Sequence, residues 1–285
     1  MRIVLIGAGK LATNLGVALQ QAGHEVVAIY SRTMTSANAL AQLLAMRSAM
    51  FCGMATDQIY CLPKDADAYI ISVKDNAIAN VLAEVAKGRE DRLFLHTAGS
   101  IPMDVFKGYF HHYGVLYPMQ TFSKERLVDF CDIPIFIEES CSETFAEEPL
   151  VPSMLRLLAE SISRHVYELS SDRRKHLHLA AVFACNFANH CYTLSADILA
   201  QVGLPFDVML PLIDETARKV HQLHPLEAQT GPAVRYDENV IRMQEALIDD
   251  ADVRQIYSQM SQNIHKKAIE IYDKLRLTED TSHRA

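Results

Sequence analysis

Gly7-Ala8-Gly9-Lys10-Leu11-Ala12 is a Gly-x-Gly-x-x-Ala run. It follows an aliphatic stretch, Arg2–Ile6, and opens an apolar pattern of helical spacing, Leu11–Gln21. That order of residue types suits the binding of a pyrophosphate. The first glycine permits a tight turn, the second lets backbone approach the phosphates, and a small third residue lets helix and strand pack closely. The helix start adds free N–H groups and the positive end of the peptide dipole. A glycine-rich turn with no such role is the plainer alternative, and the strand before and helix after weigh against it.

The next strand pattern, His24–Tyr30, runs into Ser31-Arg32-Thr33. A dinucleotide site for NAD places a carboxylate there to hold the ribose hydroxyls; this chain has none. Arg32 could grip a 2′-phosphate while Ser31 and Thr33 donate hydrogen bonds, so the expected cofactor is NADP(H). The alternative for Arg32 is a solvated surface residue. Ligands of parallel sheets bind beyond the carboxyl ends of the strands. Two more such ends are therefore candidates: Ser72-Val73-Lys74-Asp75-Asn76, with Val73 and Lys74 beside the cofactor, and His96-Thr97-Ala98-Gly99-Ser100, with Thr97 and Ser100 near the nicotinamide. His96 itself reads equally well as a satisfied core histidine.

These residues need a sheet to align them. Short β-branched runs at Arg2–Ile6, His24–Tyr30, Met50–Cys52, Ala68–Val73, Leu93–His96, Val115–Tyr117, Ile133–Ile137 and Val166–Leu169 alternate with helical patterns. That alternation predicts an α/β fold: a Rossmann-like, doubly wound, mainly parallel sheet covered on both faces. After about residue 170 the strand signal stops. Helical patterns run Arg174–Ala200, Phe206–Leu223, Glu238–Ile248 and Ala251–Leu275. The expected domains are 1–170, binding the dinucleotide, and 171–285, all-helical.

On a regular helix from Arg174, Lys175, His178, Val182, Asn186, Asn189 and Thr193 fall within roughly 80° of one another. A solvated face would carry Lys and Glu; this stripe carries imidazole, amides and hydroxyl. Hydride delivery to a C=O or C=N carbon needs a proton donor or charge stabiliser at the heteroatom. His178 is the candidate for that role, and Asn186 for orienting the substrate or the nicotinamide. The alternative is an ordinary amphipathic helix lining a dimer interface or solvent. Thr230-Gly231-Pro232 opens a short helical pattern that could take an anion, with Arg235 one turn on. Asp237 reads as an N-cap for Glu238–Ile248.

Composition excludes other classes. The 285 residues include 27 Lys+Arg and 35 Asp+Glu, and neither half is basic, so nucleic-acid binding is disfavoured. No apolar run approaches the ~18 residues of a membrane span. The first six residues resemble a signal peptide only until Gly7, Gly9 and Lys10. Six cysteines, none in a Cys-x-x-Cys pair, suit reduced thiols in a cytoplasm. His111-His112, His176-x-His178 and His221-x-x-His224 lack companion ligands at metal spacing, so no metal is expected.

In order along the chain stand the fingerprint, Tyr30-Ser31-Arg32, Ser72-Val73-Lys74-Asp75, His96–Ser100, Tyr117-Pro118-Met119-Gln120-Thr121-Phe122, His178–Asn186 and Thr230–Asp237. Together they resemble the NADP oxidoreductases with a Rossmann-like N-terminal domain and a helical C-terminal domain of unknown function. More distantly the chain is similar to pyrroline-5-carboxylate reductases, deazaflavin-dependent NADP reductases and β-hydroxyacid dehydrogenases. The resemblance implies fold and cofactor, and chemistry only by class. The last group uses a Lys-x-x-x-Asn pair, whereas Lys175 and Asn186 are eleven residues apart. The expectation is an NADP(H)-dependent oxidoreductase acting on a small anionic carbonyl or imine compound bound between the domains. It would be a homodimer through the helical domain. The rival is an NADP(H)-binding sensor or scaffold without turnover.

Overall fold

A computed structural model describes residues 1–48, 51–140 and 153–282, with backbone only for 271–282. The chain forms two compact units, Met1–Phe187 and Ala188–Ala285. The sequence-based boundary at 170/171 marks the end of the sheet, and the first unit continues through one more helix.

The first unit holds an eight-stranded sheet: β1 (Arg2–Ile6), β2 (Glu25–Tyr30), β3 (Met54–Thr56), β4 (Ala68–Ile71), β5 (Leu93–His96), β6 (His112–Pro118), β7 (Ile135–Glu139) and β8 (Val166–Glu168). Their order is β3-β2-β1-β4-β5-β6-β7-β8. The first six run parallel; β7 pairs antiparallel with β6, and β8 follows β7. The strands β1, β4 and β5 are apolar on both faces and buried, as a sheet covered twice requires. One face packs on α1 (Lys10–Gln21), α2 (Met34–Arg47) and α4 (Met154–Ile162) through Leu5, Leu15, Leu44, Leu95, Leu116 and Leu158. The other packs on α3 (Ile78–Val85) and the 103–110 segment through Ile71, Leu82, Phe94 and Phe106. The expected strand at Met50–Cys52 lies partly outside the described residues, at Met50. The strand that pairs with β2 is Met54–Thr56, the stretch that follows Gly53.

Asn14, buried on α1, accepts from the Val128 N–H at 3.0 Å and donates to the Ser123 carbonyl at 2.7 Å. This pins the long connection between β6 and β7 against the helix that carries the glycine turn.

After β8 the chain enters α5 (Ser171–Ala181), followed by a wide π-helical turn, Val182–Phe187. A buried polar knot fixes where α5 begins. Arg174 is 1% exposed; it donates to Glu138 Oε2 at 2.5 Å and to the Ile101 carbonyl at 2.6 Å. Glu138 also accepts from the N–H and hydroxyl of Ser171, at 2.8 and 2.6 Å. Burial pushes the Glu138 carboxyl up, but these hydrogen bonds outweigh it and hold its pKa below the ordinary value. Near by, buried His96 has its pKa lowered to about 4, first by desolvation and then by the Arg174 charge.

The second unit contains α6 (Ala188–Gln201), α7 (Leu210–Gln222), the one-turn helices α8 (Pro225–Ala228) and α9 (Pro232–Arg235), α10 (Glu238–Glu245) and the long α11 (Ala251–Ser282). Asp237 caps α10 by accepting from the Val240 N–H, as its position predicts. Of the apolar face expected on Ala251–Leu275, the side chains of Ile271 and Leu275 lie outside the described residues.

Two stability predictions follow from the knot. Arg174→Met keeps the apolar stem but strands the Glu138 charge, and urea unfolding should show a loss of about 3–5 kcal/mol. His96 is neutral in the fold, whereas the unfolded chain takes a proton below about pH 6.5. Stability should therefore fall as pH drops from about 6.5 to about 4, by roughly 3 kcal/mol, and His96→Leu should flatten that slope.

Candidate functional site

The carboxyl ends of the parallel strands lie side by side, and those of β1, β2, β4 and β5 carry the residues expected at the cofactor. Gly7 follows β1 with φ +124°, and a Cβ there would sit 2.2 Å from the Ser72 carbonyl oxygen. Only glycine lets the ends of β1 and β4 approach this closely. Gly9 is the N-cap of α1, exposed, with no side chain capping the helix and open space where a Cβ would stand. The first N–H groups of α1, from Lys10, Leu11 and Ala12, have no partner within the helix. Ala8 and Ala12 are buried and Lys10 is exposed. A concave turn lined by N–H groups, with no side chain filling it, fits a dinucleotide pyrophosphate.

At the end of β2, Ser31 donates its N–H to the Thr56 carbonyl. Thr33 caps α2, its hydroxyl accepting from the Ser36 N–H and donating to the Ser36 hydroxyl. Arg32 between them is exposed and, among the described residues, makes no hydrogen bond or ion pair. Beyond β4, Val73 is half-buried and Lys74 exposed. Beyond β5, Thr97 is buried, and Ser100 donates to the Asp75 carboxylate, tying the two strand ends together. Inter-strand gaps of about 4.8 Å place the ends of β2 and β6 about 19 Å apart, a span suited to a dinucleotide lying across the crevice.

α5 brings His178 to this edge. Arg174 and His178 share a helix face, four residues and about 6 Å apart. Glu138 pairs with Val115 on β6, and Tyr117 lies two residues further, about 6.7 Å along the strand. With Arg174 fixed on Glu138, the matching advance along helix and strand delivers His178 to Tyr117. Its Nδ1 is 3.0 Å from the Tyr117 hydroxyl, and its ring lies against Gly99. No local signal marks Tyr117 for chemistry: in sequence it looks like any buried strand residue, and its partner is 61 positions away.

Asn186 lies in the π-helical turn and is exposed. The expected stripe assumed an uninterrupted α-helix, and the wide turn breaks that register. Lys175, also in the stripe, instead pairs with Asp172. Asn189 and Thr193 belong to the second unit, as do Thr230, Gly231 and Arg235. There Gly231 has φ +106° and leads into α9, and Arg235 is exposed. Among the described residues no group of three or more His, Cys, Asp or Glu is placed to hold a metal ion, and no helix is long and apolar enough to cross a membrane.

Comparison with known proteins bears directly on this crevice. Residues 2–98 match the family described as NADP oxidoreductase, coenzyme F420-dependent, and residues 143–264 match a domain of unknown function, DUF2520. No curated protein matches. The crystal structure of a "putative NADP oxidoreductase" from Bacteroides fragilis is 51% identical, with a TM-score of 0.84 over 93% of this chain and 98% of that one. A Thermotoga maritima protein is 22% identical, with a TM-score of 0.70 over 93% of this chain and 99% of that one. A Streptomyces aurantiacus imine reductase shares the fold at 15% identity, with a TM-score of 0.60 over 95% and 99% of the two chains. With half its residues identical to the Bacteroides protein over nearly the whole length, and with the glycine turn in place, the chain belongs to that NADP oxidoreductase family: it is an NADP(H)-binding oxidoreductase with a Rossmann-like first domain and a helix-rich C-terminal region.

Proposed function

We propose that the protein reduces a small anionic carbonyl or imine compound with NADPH. The observation that carries this reading is the seating of His178 over the carboxyl ends of β5 and β6, in line with the Gly7–Ala12 turn at β1. The cofactor supplies the hydride when bound. The chain's own residues do the rest. The amides of Gly9–Ala12 hold the pyrophosphate, Arg32 and Ser31 bind the 2′-phosphate, and Val73, Lys74, Thr97 and Ser100 line the ribose and nicotinamide. As hydride reaches carbon, charge develops on the heteroatom, and His178 is placed to donate to it. Asn186 orients the substrate; Thr230, Gly231 and Arg235 contact its anionic group. An imine or carbonyl suits the site because either needs one hydrogen-bond donor beside the reacting bond. The imine reductase that shares this fold supports the choice by analogy of architecture alone.

Assembly belongs to the same reading. The second unit has few buried apolar residues among those described, Leu199, Ala233 and Ile241. Leu212 is 62% exposed and Leu247 74%, and Val220, Leu223, Met243 and Met260 are exposed as well. A unit of this size with so small a core is marginal alone. A homodimer through the helical region would cover these side chains. The free thiols of the described cysteines fit a reducing cytoplasm.

A screen of 2-oxo acids and cyclic imines, followed by NADPH absorbance, tests the reading; no oxidation of NADPH by any member would count against this substrate class. NADPH should bind at least several-fold tighter than NADH, and Arg32→Ala should erase the preference. One charge-assisted phosphate contact is worth on the order of 1.5–3 kcal/mol, or about tenfold or more. Equal affinities in the unmutated protein would remove Arg32 from the site. Once a substrate is in hand, His178→Gln should lower kcat by ~10²–10⁴-fold with NADPH affinity nearly unchanged, and Arg235→Ala should mainly raise KM. Light scattering at micromolar concentration should give the mass of a dimer; a monomer would refute the assembly.

A further inference from the structure

Tyr117 is buried at the carboxyl end of β6. Its ring meets His178 edge-on, with centroids 6.1 Å apart and planes at 74°. Gly99 also bounds the imidazole: a Cβ at that position would stand 2.6 Å from Nδ1 and 2.7 Å from Cγ. The ring is thus confined by a phenol and by bare backbone, and no larger residue at 99 would leave it in place.

The hydrogen bond between them has a direction that follows from burial. Desolvation raises the Tyr117 hydroxyl above its usual pKa of 10.0; the Arg174 charge opposes this and the Asp75 charge adds to it. The phenol therefore keeps its proton at neutral pH. Among the described residues, its only hydrogen-bond partner is Nδ1 of His178. A buried O–H without an acceptor is costly, and the arrangement that avoids this has the hydroxyl donating to Nδ1. The imidazole then carries its proton on Nε2. Nε2 makes no hydrogen bond to any described residue.

We propose that Tyr117 is a positioning residue for this site: with Gly99 it ties down the Nδ1 edge of His178 and fixes the neutral ring as the Nε2–H tautomer. Nε2–H is then the donor presented to a carbonyl oxygen or imine nitrogen. The role assigned to Nε2 rests on the reductase reading above; the tautomer and its cause do not.

The test is a long-range 1H–15N correlation spectrum of the histidine rings in the full-length labelled protein. It is recorded at a pH above the ordinary imidazole range, with His178 assigned by the signals lost in His178→Gln. The expected result is a proton on Nε2 and an Nδ1 resonance shifted as a hydrogen-bond acceptor. Tyr117→Phe keeps the aromatic ring and removes only the hydroxyl. It should move Nδ1 to the position of a nitrogen without a donor, and raise the share of the other tautomer. Gly99→Ala, which displaces the ring without altering either partner, should do the same. A proton on Nδ1 in the unmutated protein overturns the proposal, as does an unchanged Nδ1 resonance in a folded Tyr117→Phe. Turnover is a separate readout. If His178→Gln reduces substrate as fast as the unmutated protein, the catalytic reading fails while the tautomer result stands.

Discussion

The pairing of Arg174 with Glu138 is the contact from which the candidate site takes its geometry. A guanidinium 1% exposed is tolerable only with its charge answered and its donors used, and Glu138, Ser171 and the Ile101 carbonyl answer most of them. Those three partners come from β7, from the start of α5 and from the segment after β5. The helix entry is therefore tied to strands that are not its neighbours in sequence. Such a pair adds little net stability over an apolar substitute, yet it specifies one placement, since any slip of α5 by a turn would leave two buried charges apart. Every position further along the helix inherits that placement, His178 first.

The same charge shapes its surroundings. His96 is kept neutral by burial, and the guanidinium near by adds to that. Tyr117 is kept protonated by burial, against a smaller pull from the same guanidinium. The crevice edge thus holds two neutral, proton-bearing groups beside one fixed cation paired with Glu138.

The cofactor side was legible in the sequence because its requirements are local. A positive-φ glycine, an uncapped helix start and an arginine after a strand are each stated by neighbouring residue types. His178 could also be found, from the unusual polarity of its helix. What positions it could not. Glu138 and Arg174 lie 36 residues apart and Tyr117 and His178 lie 61 apart, so no spacing rule connects them. A buried arginine reads as a surface one, and a strand tyrosine as core. The direction in which Asn186 faces was less legible, because a 100° wheel describes a regular helix and the turn at Val182–Phe187 is not regular. β3 was displaced by a few residues for a related reason, because a three-residue edge strand has too little pattern to fix its own ends.

The reversal of direction at β7 has a consequence for molecular size. From β3 to β6 every strand points its carboxyl end the same way, and from β7 onward the ends point the other way. The row of strand termini that can receive a ligand is therefore a track of fixed length that stops at β6. A dinucleotide stretched from Arg32, as proposed above, would use nearly all of it, and Tyr117 and His178 stand at the terminus. Whatever molecule meets the cofactor there has no further strand end to rest on. Its far side has to be enclosed by helix and loop, so relatives with the same sheet can differ widely in the bulk they admit without altering the track itself.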